Sequence, residues 1–427
     1  MQPDQTSTRA SRRVILWLAA VNLVALGSLT APVVAVMPLK FAALLPPDER
    51  AVALATALAL GGAAALVANP LFGALSDRTR SRLGRRRPWM LGGVLAGLAF
   101  VAALAAADSV VAVTASWVGA QLAFNATMAA SAALLADSIS EQQRGSASGV
   151  FTAAAFVGTV PPLALSALLP GSVGAISFIM PIAAVIVVSI AMSLPDPPSA
   201  LRAPRSRMPR RPALPRAFVA VWLQRLAMQA AFSLAAAFTL YLVIDRMTGD
   251  EVSATSVAMV ATLSGGAGIV VGAAVGGAWA SRTGRFLPFF GFAGAALAAA
   301  AALRAAAGTP AALWIAAGAG GLAIGASLAV NLALAMRVAP AGREGTYLGV
   351  LNVAETIPQV LVPIAAAALL RVGDGDLVSG AASNYTLLYT VAAVAALVSL
   401  LTLPALRRSA HRPAEPAPMT AATGRAR

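Results

Sequence analysis

Twelve apolar segments, each long enough to cross a membrane as a helix, constrain this chain more than any other feature. A helix needs about 20 apolar residues to cross the hydrocarbon layer of a bilayer. Only 11% of the 427 residues are charged, against about 25% in soluble proteins, so the chain cannot cover a water-facing surface. We predict an all-α membrane protein whose spans 1 to 6 are 14–38, 51–76, 89–107, 110–136, 146–169 and 173–194, and whose spans 7 to 12 are 217–243, 253–280, 287–306, 310–336, 346–370 and 384–405.

Lysine and arginine residues fall mainly in the loops on one side of this predicted bundle. With the N-terminus in the cytoplasm, cytoplasmic segments hold 25 of the 31 basic residues, and one more, Arg225, lies inside a span. The five on the outer side are Lys40, Arg50, Arg246, Arg304 and Arg371. This asymmetry predicts that both termini are cytoplasmic in a multi-pass protein of the cytoplasmic membrane. The net charge of +15 does not indicate nucleic-acid binding, because the chain has no basic face with interleaved aromatic residues.

The sequence repeats itself after about 200 residues. GALSDRTRSRLGR, from Gly73, matches GAWASRTGR, from Gly277, and RGSASGVF around Gly149 matches REGTYLGVL around Gly349. The two offsets differ by the four residues missing from the second loop, so the matches support each other and predict two pseudo-symmetric six-helix bundles. The predicted regions are a cytoplasmic N-terminus (1–13), the first bundle (14–194), a cytoplasmic linker rich in proline and arginine (195–216), the second bundle (217–405) and a disordered cytoplasmic tail (406–427).

The loop after span 2 carries a family resemblance. Residues 73–87 resemble the G-x-x-x-D-R-x-G-R-R signature of the major facilitator superfamily. NPLFGALSDRTRSRLGRRRPW (69–89), RGSASGVF and LGVLNVAETIPQVLVP (348–363) resemble a narrower branch, the glycoside–pentoside–hexuronide:cation symporters and proton-coupled sucrose transporters. The resemblance implies alternating-access uptake of a small polar solute, a sugar or glycoside. Those cation symporters commonly carry an aspartate where this chain has Asn69, which disfavours sodium and leaves proton coupling or facilitated diffusion open.

The same resemblance implies a gate at the cytoplasmic end. Asp77 is expected to contact the N-terminus of span 11 and nearby arginines, which suits a carboxylate beside a helix N-terminus. The alternative is that these charges only set the topology. For Asp137 with Glu141 and Arg144 we prefer a solvated cluster, with a second gate pair as the alternative. The expected gate residues are Asp77, Arg78, Arg85, Arg86, Asp137 and Arg144, and Ser281 replaces Asp77 in the second copy.

Two ionisable residues lie well inside the predicted spans. Arg225 in span 7 and Glu355 in span 11 fall at depths of about 12 and 14 Å from the cytoplasmic face, at 1.5 Å per helical residue. Opposite charges at one depth are expected to pair, since an isolated charge in the membrane is costly. We expect Glu355 to be the proton-responsive carboxylate and Arg225 its partner. A permanent structural ion pair, or separate partners near water, are the alternatives.

Spans 1, 4, 7 and 10 line the substrate cavity in the superfamily that the chain resembles. Their amides can both donate hydrogen bonds to sugar hydroxyls and accept them, and Trp117 could stack on a sugar ring or anchor the span at the membrane interface. The amides could instead join helices. The expected substrate-binding residues are Asn22, Trp117, Gln121, Asn125, Gln224, Gln229 and Asn331.

Symport is one of several functions that the sequence allows. A multidrug or metabolite exporter would share the loop signature, and a sensor would use the same fold. An enzyme is disfavoured because the chain has no cysteine, its one histidine is His411 in the tail, and no single span pairs two carboxylates. We expect no metal and no cofactor other than a coupling proton. The expected partners are a small solute and the lipid bilayer, with no nucleic acid, for a monomeric protein.

Overall fold

The computed structural model describes residues 5–168, 173–194, 215–236, 238–249, 251–340, 342–373 and 375–410. Its regular elements in these ranges are all helical, as the apolar segments predict. Most of the predicted linker (195–214) and most of the predicted tail (411–427) lie outside the described residues.

The first half contains six spans. Span 1 runs through Gln5–Ala31, a π-helical turn at Pro32–Val36, and Met37–Leu44. Span 5 is interrupted at Gly158 and Thr159, just before Pro161 and Pro162, because proline lacks the amide that continues a helix. The other helices are Pro47–Arg78 (span 2), Arg87–Ala106 (span 3), Val110–Ser138 (span 4), Arg144–Val157 with Val160–Leu168 (span 5) and Val173–Ala191 (span 6).

The second half repeats this order, with one irregular span. Span 7 ends its first helix at Ala236 and resumes at Thr239, and Phe238 between them has a φ of 56°, which side-chain-bearing residues rarely adopt. The helices are Arg216–Ala236, Thr239–Val243 and the π-turn Ile244–Thr248 (span 7), Glu251–Thr283 (span 8), Leu287–Ala305 (span 9), Pro310–Val338 (span 10), Glu344–Leu369 (span 11), and Tyr385–Val398, Ser399–Thr402 and Leu403–Ala410 (span 12).

The lengths and apolar character of these helices confirm the membrane architecture. Within the described residues, 11 helices are long and apolar enough to cross a bilayer, and the shorter apolar helix Ile176–Ala191 belongs to span 6. Spans 4 and 10 are the most enclosed, with 78% and 72% of their apolar windows buried, whereas spans 2 and 8 have 28% and 22%. Spans 4 and 10 are therefore central, and spans 2 and 8 are the less enclosed of these four.

The two halves meet through equivalent glycines near one end of the bundle. A Cβ on Gly73 of span 2 would overlap the backbone of Gly345 in span 11, and a Cβ on Gly277 of span 8 would overlap Gly145 and Gly149 in span 5. Only glycine permits such close helix approach. We call this end, which carries the loops 79–86, 139–143, 284–286 and 339–343, the arginine-rich end. The sequence repeat is thus a structural repeat in which span 2 meets span 11 as span 8 meets span 5.

Candidate functional site

A cavity of about 530 Å³ lies between the two halves. This volume is in the range of small-molecule sites. Spans 1, 4, 5, 7, 10 and 11 contribute to its wall, so two spans beyond the expected four take part. The polar side chains lining it are Asn22, Thr152, Arg225, Gln229, Ser233, Asn352, Glu355 and Gln359.

Arg225 and Glu355 form an ion pair in the wall of this cavity. The Arg225 Nη2 and Glu355 Oε2 atoms are 2.5 Å apart, and Arg225 Nη1 lies 3.5 Å from Asn331 Oδ1. The Arg225 side chain is 8% exposed and that of Glu355 is 27% exposed. Each charge therefore compensates the other, and the carboxylate is the more accessible partner.

Two of the expected substrate amides support Arg225 rather than line the cavity. Gln224 donates a hydrogen bond to Ser327 Oγ at 3.0 Å, and Asn331 donates to Gln224 Oε1 at 2.7 Å and to the Val221 carbonyl at 2.9 Å. Gln224 and Asn331 are both fully buried. Their hydrogen-bonding groups are used between spans 7 and 10, which fixes the helix face from which Arg225 projects.

A second chain of amides links the two halves. Asn125 donates to Gln121 Oε1 at 2.9 Å, and Asn69 donates to Asn125 Oδ1 at 2.8 Å. Asn352 of span 11 then donates to Asn69 Oδ1 at 3.1 Å. Only Asn352 of these four lines the cavity, so Gln121 and Asn125 join helices in this structure. In the sequence, Asn69 is recognisable only as a departure from a family pattern, and Asn352 was not predicted as a site residue.

Trp117 does not face the cavity. Its side chain is 1% exposed and packs against Gly61 of span 2, where a Cβ would overlap the indole ring. The expected stacking on a sugar ring has no support in this geometry, and burial also removes the interface-anchor alternative. Of the expected substrate residues, Asn22 and Gln229 line the cavity, and Asn22 donates to the Phe151 carbonyl at 3.1 Å.

Asp77 connects span 2 to the first turn of span 11. Its carboxylate accepts hydrogen bonds from the Gly345 amide at 3.1 Å, the Thr346 amide at 2.7 Å and the Thr346 hydroxyl at 2.6 Å. Arg86 Nη2 lies 2.7 Å from Asp77 Oδ1. The structure thus places Asp77 at the helix N-terminus and beside the cation that the resemblance implies.

The charges around Asp77 form one buried cluster. Arg86 is fully buried and pairs with Asp137 at 3.0 Å, and Arg85 pairs with Asp137 at 2.7 Å. Glu344, which sequence analysis did not single out, lies 3.5 Å from Arg85. Burial alone would lower the pKa of the Arg85 guanidinium, but Asp137, Glu344 and Asp77 outweigh it and raise that pKa. The cluster joins the two halves at the arginine-rich end.

Three expectations for this cluster need correction. Arg78 is exposed, and within the described residues it forms no salt bridge. Arg144 likewise has no carboxylate within salt-bridge distance in the part of the chain that the structure describes. The solvated cluster preferred for Asp137 is wrong, since its side chain is 4% exposed, whereas Glu141 is solvated and pairs with Arg337 at 2.5 Å. Asp137 turns inward because Arg85 and Arg86 lie across from it.

A sequence model of the Major Facilitator Superfamily matches residues 16–363, which is most of the chain. The chain belongs to the Major Facilitator Superfamily. It is therefore a membrane-embedded secondary transporter and not an enzyme, and the family expectation from the loop signature is confirmed. No curated protein matches the chain in sequence.

Solved structures share the fold of this superfamily member at low sequence identity. The human organic anion transporter MFSD10 (TETRAN) has 17% identity and a TM-score of 0.70 over 94% of this chain and 100% of that one. A bacterial homologue of the iron transporter ferroportin, in its outward-facing state, has 15% identity and a TM-score of 0.69 over 92% and 99%. The proton:xylose symporter XylE, bound to 6-bromo-6-deoxy-D-glucose, has 13% identity and a TM-score of 0.70 over 92% and 95%. These similarities show the fold alone.

The transporter also carries a buried ion pair at the end opposite the arginine-rich one. Arg246 and Asp376 are 2.5 Å apart, with both side chains fully buried. Burial alone would raise the pKa of the Asp376 carboxyl, but hydrogen bonds from Arg246, Thr386 and Ser379 outweigh it and lower that pKa. The pair ties the loop between spans 11 and 12 to span 7. The sequence predicts only that Arg246 lies in an outer loop, and a tertiary contact over 130 residues reveals its partner.

Proposed function

We propose that this transporter is a proton-coupled symporter of a small polar solute, with a sugar or glycoside as the solute. The observation that carries the proposal is the Arg225–Glu355 ion pair in the wall of the central cavity. Protonation of Glu355 removes the charge that compensates Arg225. A buried cation left alone is costly, so protonation favours a rearrangement of spans 7 and 11.

The central cavity offers hydrogen-bonding groups that a hydroxylated solute would satisfy. Arg225 Nε and Gln229 Oε1 are buried and have no hydrogen-bond partner within the described residues. The two residues lie one helical turn apart on span 7, so they present a donor and an acceptor to one face. A pair of neighbouring hydroxyl groups on a sugar complements this arrangement. The resemblance of residues 69–89 to the sugar-transporting branch supports the same solute class.

The coupling ion is proposed to be a proton rather than sodium. An alkali-cation site favours carboxylate ligands. Asn69 stands where the cation symporters commonly have an aspartate, and its amide is already bonded to Asn125 and Asn352. Glu355 is the carboxylate that lines the central cavity.

We further propose that the arginine-rich end faces the cytoplasm, with both termini on that side of the cytoplasmic membrane. The positive-inside rule supports this orientation. A monomer is proposed as the transporting unit, because one chain encloses the whole central cavity.

An exporter of amphipathic solutes remains the second candidate. The specific observation in its favour is the apolar part of the cavity wall, which includes Phe151, Phe156 and Phe232 as well as Leu328 and Leu332. Such a wall suits a solute with an apolar body better than a fully hydroxylated sugar. Dye efflux from vesicles compared with uptake of labelled disaccharide separates the two directions and solute classes.

Purified protein in liposomes with an imposed pH gradient tests the proposed function. We expect wild-type protein to accumulate at least one member of a labelled sugar panel against its gradient when the proton gradient is present. Glu355→Gln should abolish accumulation and retain solute exchange, because it removes the titration but keeps the shape. Glu141→Gln, a change at an exposed carboxylate, is the matched control. Undiminished accumulation by Glu355→Gln would remove the proton role.

A further inference from the structure

A second cavity, of about 710 Å³, adjoins the central one and shares Phe156, Phe232 and Ala236 with it. Its wall is formed by spans 5, 7, 8, 9 and 10 and is mainly apolar. Among the described residues of this wall, the charged side chain is Arg304, from the last turn of the span 9 helix. The cavity therefore lies toward the end opposite the arginine-rich one and combines an apolar wall with one cation.

Arg304 is buried among neutral groups. It is 6% exposed, although the sequence places it among the five basic residues on the outer side. Its Nη1 donates to the Ala235 carbonyl, where the first helix of span 7 ends, and to Thr239 Oγ1 at 3.0 Å. Its guanidinium carbon lies 5.7 Å from the centre of the Tyr389 ring. These contacts hold the side chain in place but supply no negative charge.

The other interior arginines are compensated differently. Arg86, Arg225 and Arg246 each lie within 3.0 Å of a carboxylate oxygen. Arg304 has no carboxylate within 4.0 Å in the ranges that the structure describes. An unpaired cation in a low-dielectric interior is costly, and interior cations are generally paired. The charge pattern of this cavity is thus complementary to an anion.

We propose that the second cavity binds an amphipathic anion, with a carboxylate or phosphate group on Arg304 and an apolar body between spans 5 and 8. Thr239 Oγ1 accepts from the guanidinium and donates to the Ala236 carbonyl at 2.9 Å, so the anionic group is bound through the charge of Arg304 and not through this hydroxyl. Leu163 of span 5 and Leu263 of span 8 line the cavity and are 42% and 58% exposed, which provides apolar surface for an alkyl chain. A free organic anion and an anionic lipid share this chemistry. The proposal is independent of proton coupling and of the sugar assignment.

Gly266 gives a test that leaves Arg304 intact. It lines the second cavity, and a Cβ there would have no atom within 4 Å, so a larger side chain would enter open space. Gly266→Leu should therefore fill part of the apolar cavity without disturbing the helix packing. Gly92→Leu on span 3 is the matched control, because Gly92 also faces open space and does not line this cavity.

The experiment measures the melting temperature of delipidated full-length protein in a neutral detergent during titration with octanoate or octanamide. We expect octanoate to raise the melting temperature of wild type and Gly92→Leu, and octanamide to leave it unchanged. Arg304→Gln and Gly266→Leu should weaken the apparent octanoate affinity by roughly tenfold or more, as loss of a charge-assisted hydrogen bond predicts for Arg304. Since Arg304→Gln can fail to fold, Gly266→Leu decides in that case.

A parallel titration with phosphatidylglycerol against phosphatidylcholine distinguishes the two sources of the anion. Stabilisation by phosphatidylglycerol alone, lost in Gly266→Leu, identifies a lipid headgroup as the ligand, and stabilisation by octanoate identifies a free anion. Equal effects of octanoate and octanamide, an undiminished effect in Gly266→Leu, or no stabilisation by either anion would each overturn the proposal.

Discussion

Asp77 and Ser281 occupy equivalent positions in the two halves, and each accepts a hydrogen bond from the amide that begins the opposing span. Asp77 accepts from the Thr346 amide at 2.7 Å, and Ser281 accepts from the Ser146 amide at 3.1 Å. Only the first contact is charged and extended by Arg86. Charge-assisted hydrogen bonds are roughly twice as strong as neutral ones. The two interfaces at the arginine-rich end are therefore alike in geometry and unequal in strength.

This inequality predicts that Asp77→Ala opens the arginine-rich end more than Ser281→Ala does. Asp77→Ala leaves Arg86 and two helix-terminal amides with fewer partners, whereas Ser281→Ala removes a neutral contact. The native chain has no cysteine, so a single cysteine in place of Leu348, which lines the central cavity, reports access to labelling reagents. Labelling from the arginine-rich side should rise several-fold in Asp77→Ala, and equal rates in the two variants would contradict the asymmetry.

Replacing Asp137 should destabilise the protein far more than replacing the nearby Glu141. Asp137→Ala removes a partner from the fully buried Arg86, and breaking a buried pair costs about 3–5 kcal/mol. Glu141→Ala breaks an exposed pair with Arg337, where the expected loss is about 0–1 kcal/mol. Melting temperatures in detergent should fall clearly for the first variant and barely for the second. A similar fall in both would show that Asp137 is as solvated as Glu141.

The Arg246–Asp376 pair predicts that the stability of the protein falls at acidic pH. Folding lowers the pKa of the Asp376 carboxyl from its value of about 3.9 in the unfolded chain. The contribution of this carboxylate to the free energy of unfolding is therefore fully present above that unfolded-state pKa, and it is lost as the pH falls toward the folded-state pKa. The melting temperature of wild type should therefore decline in acid partly through Asp376. Asp376→Asn should be less stable at pH 7 and show a shallower acid decline, and an identical acid slope in the variant would contradict this assignment.

Trp117 predicts a loss of stability without a change in solute preference. Its indole fills the space left by Gly61, so Trp117→Ala should cost about 3–5 kcal/mol as a large buried side chain is removed. Relative uptake rates across a sugar panel should stay the same, because the side chain is outside the central cavity. A selective loss for one sugar, at unchanged stability, would restore the stacking interpretation.

The helix pattern was predictable from the sequence because each span is a local property. A run of about twenty apolar residues in a bilayer favours a helix, because a helix satisfies the backbone hydrogen bonds within the segment itself. The repeat at Gly73 and Gly277 likewise predicted the paired halves. The break in span 7 was not predictable, because Phe238 itself carries no helix-breaking signal. The group that binds the freed carbonyl of Ala235 is Arg304, 69 positions further along the chain.

The sequence by itself determined the number of spans, the position of the basic loops and the presence of two charges at one depth. Tertiary structure alone decided which amides face the central cavity: Asn352 lines it, whereas Gln121 lies outside it and accepts a hydrogen bond from Asn125. Tertiary structure also decided that Trp117 packs against Gly61, that Glu344 joins the cluster of Asp77, and that Arg304 is buried. Glu355 and Asn352 are directed by partners on other helices, Arg225 and Asn69, which lie 130 and 283 positions away in the sequence.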